Sequence, residues 1–486
     1  MTTDVGAPSV PEAGPATAPD DGPAAPAVPV PQRLALVLPS TGEFDSRTYR
    51  IATTALARGH EVTVLARWQA GLPTDEMHPA GYRIIRIAAS SIDGLPFAGA
   101  RRWIGRRLRS VRGSGGGAAG SQASAAAVPG TVTDTDPDAA IPPSRTVPPA
   151  RRASPPRRIF AALVRRLAIP LTIRSHRRNA EGVAPPADLY HGMAYMGIPV
   201  ALGLGRRHRA TVVYDARDIY LEARNLARMR GPARWLLAAA ERRWAHRSAR
   251  VITVNDAYAD VLEGRLRIRR PLVVMNCSDR YDPPDPPVRR FHDRLGLGPD
   301  RFVVLYHGGL FPFRGIEQLI EAMDALPEAD LVLMGYGALE AELPARIAAS
   351  PAGARIHVLP AVPPADLHDW VAAADVAAMP IQPSTLNHRL TTPNKLFEAM
   401  TAGVPVVASD LPGMASIVTE TRCGVLCDPT DPASIAAAIR QILDASPGDR
   451  RAYGARGRSA VAARYNWAAQ AAGLFAEYGR LTGRPW

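Results

Sequence analysis

At 486 residues the chain is long enough for two or three domains of about 150 residues each, and a content of 47% hydrophobic and 21% charged residues excludes wholesale disorder. A formal net charge of +13 would suit a nucleic-acid binder only if it were spread over the surface, yet sixteen arginines against three aspartates fall within residues 101–180, and the remainder is neutral. Three cysteines (Cys277, Cys423, Cys427) cannot build a disulfide framework, and no apolar run reaches the roughly 18 residues needed to cross a bilayer.

Residues 1–31 read as a disordered Pro/Ala-rich tail with eight prolines. Asp4 and Glu12 stand where a signal peptide needs positive charge, so a cytoplasmic protein is expected. Short β-rich runs then alternate with helical patterns, the signature of a parallel α/β sheet, with strands expected at 33–38, 61–66, 82–87, 188–191, 211–214, 251–254 and 272–275. These define a first domain over 32–280, interrupted by the arginine-rich insertion 101–180. Within the insertion, residues 113–156 are Gly/Ala/Ser/Pro-rich and read as a tether, because they cannot bury enough apolar surface to offset chain entropy. Its flanks mix arginine with large apolar residues. That composition fits a solvated basic face, or a peripheral contact with an anionic membrane surface; no nucleic-acid partner is expected.

The prolines of 281–287 mark a linker, taken as 281–290. Alternation restarts with strands expected at 302–306, 331–334, 355–359, 375–381, 404–408 and 424–427, giving a second domain over 291–460 and a last helix in 461–486 that crosses back to the first. The predicted fold class is α/β, two doubly wound Rossmann-like domains facing a cleft, with ligands at the carboxyl ends of the strands.

Several segments at those ends carry candidate chemistry. His307-Gly308-Gly309, then Arg314-Gly315, leads into a helix with Ile316, Leu319, Ile320, Met323 and Leu326 on one face. Such glycines let the backbone approach an anion, and an arginine adds a bidentate phosphate fork. In Thr391-Thr392-Pro393-Asn394-Lys395-Leu396-Phe397-Glu398, Thr392 is the expected N-cap and Pro393 the first helical residue. Lys395 and Glu398, three apart, then share a face. A cation and a helix N-terminus suit a diphosphate, and a carboxylate suits a ribose diol. Lys395 is the only lysine in the chain; in so arginine-rich a sequence, a retained ammonium points to a specific role, although a plain Lys–Glu helix pair fits the residue types too. Gly335-Tyr336-Gly337 and Leu359 end two further strands. In the first half, His191 ends a strand and Asp215-Ala216-Arg217-Asp218 follows another, so His191 and Arg217 are expected to face the cleft. The Cys423/Cys427 pair has no matching His or Cys cluster, and no metal is expected.

These motifs, together with Pro393-Asn394-Lys395-Leu396-Phe397-Glu398-Ala399-Met400-Thr401-Ala402-Gly403-Val404-Pro405, Gly424-Val425-Leu426 and, more loosely, Arg58-Gly59-His60-Glu61-Val62, resemble the retaining, metal-independent GT-B glycosyltransferases of family four, glycosyl transferases group 1. The resemblance implies that Arg314 and Lys395 bind the diphosphate of a nucleotide-sugar donor, that Thr391, Thr392, Pro393 and Asn394 meet it through backbone N–H groups, and that Glu398 holds the ribose. It implies sugar transfer with retention to a glycan or lipid-linked acceptor, with no cofactor. Three positions depart from the family pattern. Leu390 replaces the first glutamate of its paired motif, with Asn387 or His388 as possible substitutes; Gly309 replaces a basic residue; and Arg217 stands where many relatives have His. Two alternatives stay open: a non-catalytic glycosyltransferase-like subunit, and a nucleotide-sugar 2-epimerase, for which no carboxylate acid/base pair is visible.

Overall fold

The computed structural model describes residues 30–43, 45–90, 155–227, 229–284 and 288–486, without the side chains of 155–168, 224 and 225. The tail and the tether, and with them the expected membrane contact, lie outside the described residues apart from the end of the insertion. That end belongs to a helix, Pro155–Val183, which packs Ile173, Ser175, His176 and Ala180 into the first half. No helix among the described residues is long and apolar enough to cross a membrane.

The alternating pattern produces two sheets. The first has eight strands, β1 (Arg33–Val37), β2 (Glu61–Arg67), β3 (Asp75–Met77), β4 (Arg83–Ile87), β5 (Leu189–Met193), β6 (Thr211–Asp215), β7 (Arg250–Thr253) and β8 (Leu272–Val273), in the order β3-β4-β2-β1-β5-β6-β7-β8. All neighbours are parallel except β3, which runs antiparallel to β4 at the edge. The second sheet contains β9 (Phe302–Gly309), β10 (Ala329–Tyr336), β11 (Ile356–Leu359), β12 (Val376–Met379), β13 (Val406–Ser409) and β14 (Gly424–Cys427), all parallel, in the order β11-β10-β9-β12-β13-β14. Strand order reverses between β1 and β5, and between β9 and β12. A doubly wound sheet opens its ligand crevice at those switch points.

Buried on both faces, these strands read as near-continuous apolar runs. Leu34, Leu36, Val304 and Leu331 are at most 1% exposed. The short edge strand β3 was not anticipated: Asp75-Glu76-Met77 has no apolar face, and it is held by ion pairs from Arg83 to Asp75 (2.5 Å) and Arg86 to Glu76 (2.7 Å). The chain crosses between the halves twice. Met275 and Cys277 join a core cluster of the second sheet, while the helix Trp467–Thr482 returns Trp467, Leu474, Phe475 and Tyr478 to the cluster containing Leu34 and Leu36.

Candidate functional site

At the carboxyl ends of β9, β10 and β12 the backbone is too close for side chains. Gly308 (φ +104°) ends β9 opposite Gly335 on β10, and a Cβ on Gly335 would collide with the Gly308 carbonyl oxygen. Gly315 (φ +76°) caps the helix Ile316–Ala322, and a Cβ there would strike the Pro380 carbonyl oxygen just past β12. Between them Phe313 holds φ +68°, a conformation costly for an aromatic residue, and leaves 54% of its surface exposed beside Arg314, which is 8% exposed. Gly309, Tyr336, Gly337 and Leu359 all lie at these same strand ends, with Tyr336 and Leu359 half-buried.

The helix Asn394–Ala402 packs on β12 and β13 and brings Lys395 and Glu398 to the end of β9. Its N-cap is Pro393, one residue later than the sequence suggests, and proline brings no capping side chain. Thr392 does not cap; its hydroxyl accepts a bond from Asn255 of the first half instead. Lys395 is 7% exposed, with Nζ 3.8 Å from the centre of the Tyr306 ring and beside Gly308. Glu398, 6% exposed, bonds His307 Nε2 at 2.9 Å. Burial pushes its carboxyl up, but the His307 bond and the charges of His307, His368 and Arg50 outweigh this and hold it below the usual carboxylate range. Three successive residues of β9 thus serve the helix: Tyr306 and Gly308 beside Lys395, His307 beside Glu398.

The first half contributes differently from expectation. His191 has no exposed surface; Nδ1 lies 2.5 Å from the Tyr478 hydroxyl and Nε2 3.1 Å from Asp215, which also pairs with Arg47 at 2.6 Å. It is an internal brace between β5 and the last helix, not a group facing the cleft, and burial lowers its basicity. Arg217 does reach the carboxyl edge of the first sheet, yet its Nη1 is engaged by both oxygens of Asp45 (2.8 and 2.7 Å), and 16% of the side chain remains exposed. Asn387 is also not available to a sugar. Its side chain donates to Asp218 (2.7 Å) and accepts from the Ile219 N–H (3.0 Å), while its carbonyl accepts from the Tyr258 hydroxyl (3.0 Å). Leu390 packs against the first half's core, and His388 Nδ1 lies 2.7 Å from the Ser384 hydroxyl.

His307, His368 and Asn255 were given no role from sequence. His307 was legible in principle, as a polar residue ending a strand whose other positions are apolar. His368 was not: it is stacked on Tyr281 (5.2 Å, 22°) with Nε2 buried and unpartnered among the described residues, and burial lowers its basicity.

Residues 301–445, the half that carries this site, match the family model Glycosyl transferases group 1. A D-inositol 3-phosphate glycosyltransferase of Xylanimonas cellulosilytica is 33% identical over 215 residues, 42% of this chain and 50% of that protein. The chain thus spans about half the length of that curated relative. Among solved structures, a sucrose-phosphate synthase of Thermosynechococcus elongatus superposes with a TM-score of 0.65 at 19% identity, covering 93% of this chain and 99% of that one. HepE of Anabaena, solved with UDP, gives 0.59 at 16% identity, covering 92% and 100%. The fold is that of the GT-B glycosyltransferases.

Proposed function

We propose that the protein is a retaining glycosyltransferase that takes a sugar from a nucleotide-sugar donor and passes it to a glycan or lipid-linked acceptor. The observation that carries this reading is the joint placement of Lys395 and Glu398, buried on one helix, against Tyr306 and His307 near the end of β9. The donor diphosphate sits at the start of the helix Asn394–Ala402, against Lys395 and Arg314, and the ribose diol donates to Glu398. In the transfer, the bond from the anomeric carbon to the phosphate oxygen breaks and the acceptor oxygen bonds that carbon on the same face. The acceptor proton goes to the departing diphosphate. No protein nucleophile and no metal take part; the cations and the helix dipole stabilise the charge that develops on the leaving group. UDP is the first base to try, since HepE was solved with UDP and with UDP-glucose.

The test is calorimetric titration with UDP, GDP and ADP, followed by transfer assays with the matching sugar nucleotides. One nucleotide should bind, and Lys395→Ala and Glu398→Ala should each lower transfer at least tenfold while the protein still folds. Near-normal transfer in both variants refutes the site. Binding without transfer to any acceptor would favour the non-catalytic alternative.

A further inference from the structure

Asn255 follows β7 in the first half and is 3% exposed. Its Oδ1 accepts from the Tyr258 N–H at 2.7 Å and so caps the helix Asp256–Leu266. That capping role uses only the acceptor end of the amide. The donor end, Nδ2, reaches into the second half and serves two groups, the Leu390 carbonyl at 2.8 Å and the Thr392 hydroxyl at 3.2 Å. These flank Thr391, immediately before the helix that carries Lys395 and Glu398. The same loop is crowded from behind, since a Cβ on Gly413 would strike the carbonyl oxygens of Leu390 and Thr391. The loop is therefore fixed from two sides, by backbone contact within its own half and by one amide from the other half.

We propose that Asn255 is a positioning residue for the donor: the first half, through this amide, sets the conformation of the loop 390–392, so that nucleotide binding and approach of the two halves are one event. This rests on the reading of that loop as a diphosphate site. A buried amide with both ends satisfied holds its partners to one register, and deleting one end leaves a buried acceptor unpaired. Misplacement of such a loop by about 1 Å can cost on the order of 100-fold in rate.

The test separates the two ends of the amide. Asn255→Asp keeps the helix cap, since a carboxylate is an equally good N-cap, but sets a carboxylate oxygen against the Leu390 carbonyl. It should raise amide hydrogen exchange across 386–392 and weaken nucleoside diphosphate binding about tenfold. Asn255→Ala loses both ends and should add a loss of melting temperature. Wild-type exchange at 386–392 in Asn255→Asp would overturn the proposal whether or not nucleotide binds. Increased exchange with wild-type affinity in a protein that does bind UDP, GDP or ADP would overturn it as well. Increased exchange with no nucleotide bound by the unaltered protein would sink the donor reading instead.

Discussion

Removing Lys395 and Glu398 from water costs several kcal/mol per ion, and the two are compensated in different ways. The carboxylate has a hydrogen-bonded histidine, and the ammonium lies against the face of the Tyr306 ring. His191 is the opposite case, a titratable group fully absorbed by the core. Tyr478→Phe, which strips its Nδ1 partner, should destabilise the fold by about 1–3 kcal/mol and leave the donor KM unchanged; a raised KM at unchanged melting temperature would return His191 to the site. Glu241 is a third buried group, accepting from the Tyr214 hydroxyl at 2.9 Å, with burial pushing its carboxyl up to about 7. Its folded value lies above the unfolded one, so its contribution is complete below about pH 4.5 and is lost as pH rises towards 7. Glu241→Gln should therefore raise the melting temperature at pH 8 and leave it unchanged at pH 4; an equal effect at both would show that the carboxylate is not destabilised.

At the scale of elements, the short helix Leu386–Leu390 explains one departure from the family pattern. It faces the first half: Asn387 is tied to Asp218, Ile219 and Tyr258, and Leu390 lies on the core that contains Tyr258 and Leu262. Leu390, the position where the resemblance implies a glutamate, serves here as an apolar anchor. Leu390→Glu should consequently not raise activity. It sets a carboxylate against apolar surface, and both the melting temperature and the transfer rate should fall. A gain in transfer rate would mean that the family contact was simply missing. The next helix starts one residue later than its local signal predicts, for a related reason. Threonine before proline is a good local N-cap signal, but the Thr392 hydroxyl has a partner 137 residues away in sequence, and Pro393 takes the capping position.

For the whole molecule, the last helix ties the beginning of the chain to its end. Phe475 is fully buried beside Tyr478 (ring centroids 5.3 Å apart) and under the guanidinium of Arg58 at 4.4 Å. Phe475→Ala should cost about 3–5 kcal/mol. Because the helix follows the second sheet in the chain and packs on the first, thermal unfolding should remain a single transition. A separate early transition, with the second half still folded, would show that the halves are stabilised independently.

What the residues alone determined is what depends on short range: the alternation of apolar strands with helices, and hence two doubly wound sheets; the helix carrying Lys395 and Glu398; and the glycines at the ends of β9 and β10. Each rests on neighbours within a turn or a strand, where residue type and period are enough. The tertiary structure alone decided the fates of His191, Asn387 and Asn255, whose partners lie 287, 169 and 135 residues away. A polar residue at a strand end has the same local signature whether it faces a cleft, braces a core or joins two halves. Only the packing of distant segments chooses, because burial and hydrogen-bond satisfaction are set by what arrives from elsewhere in the chain.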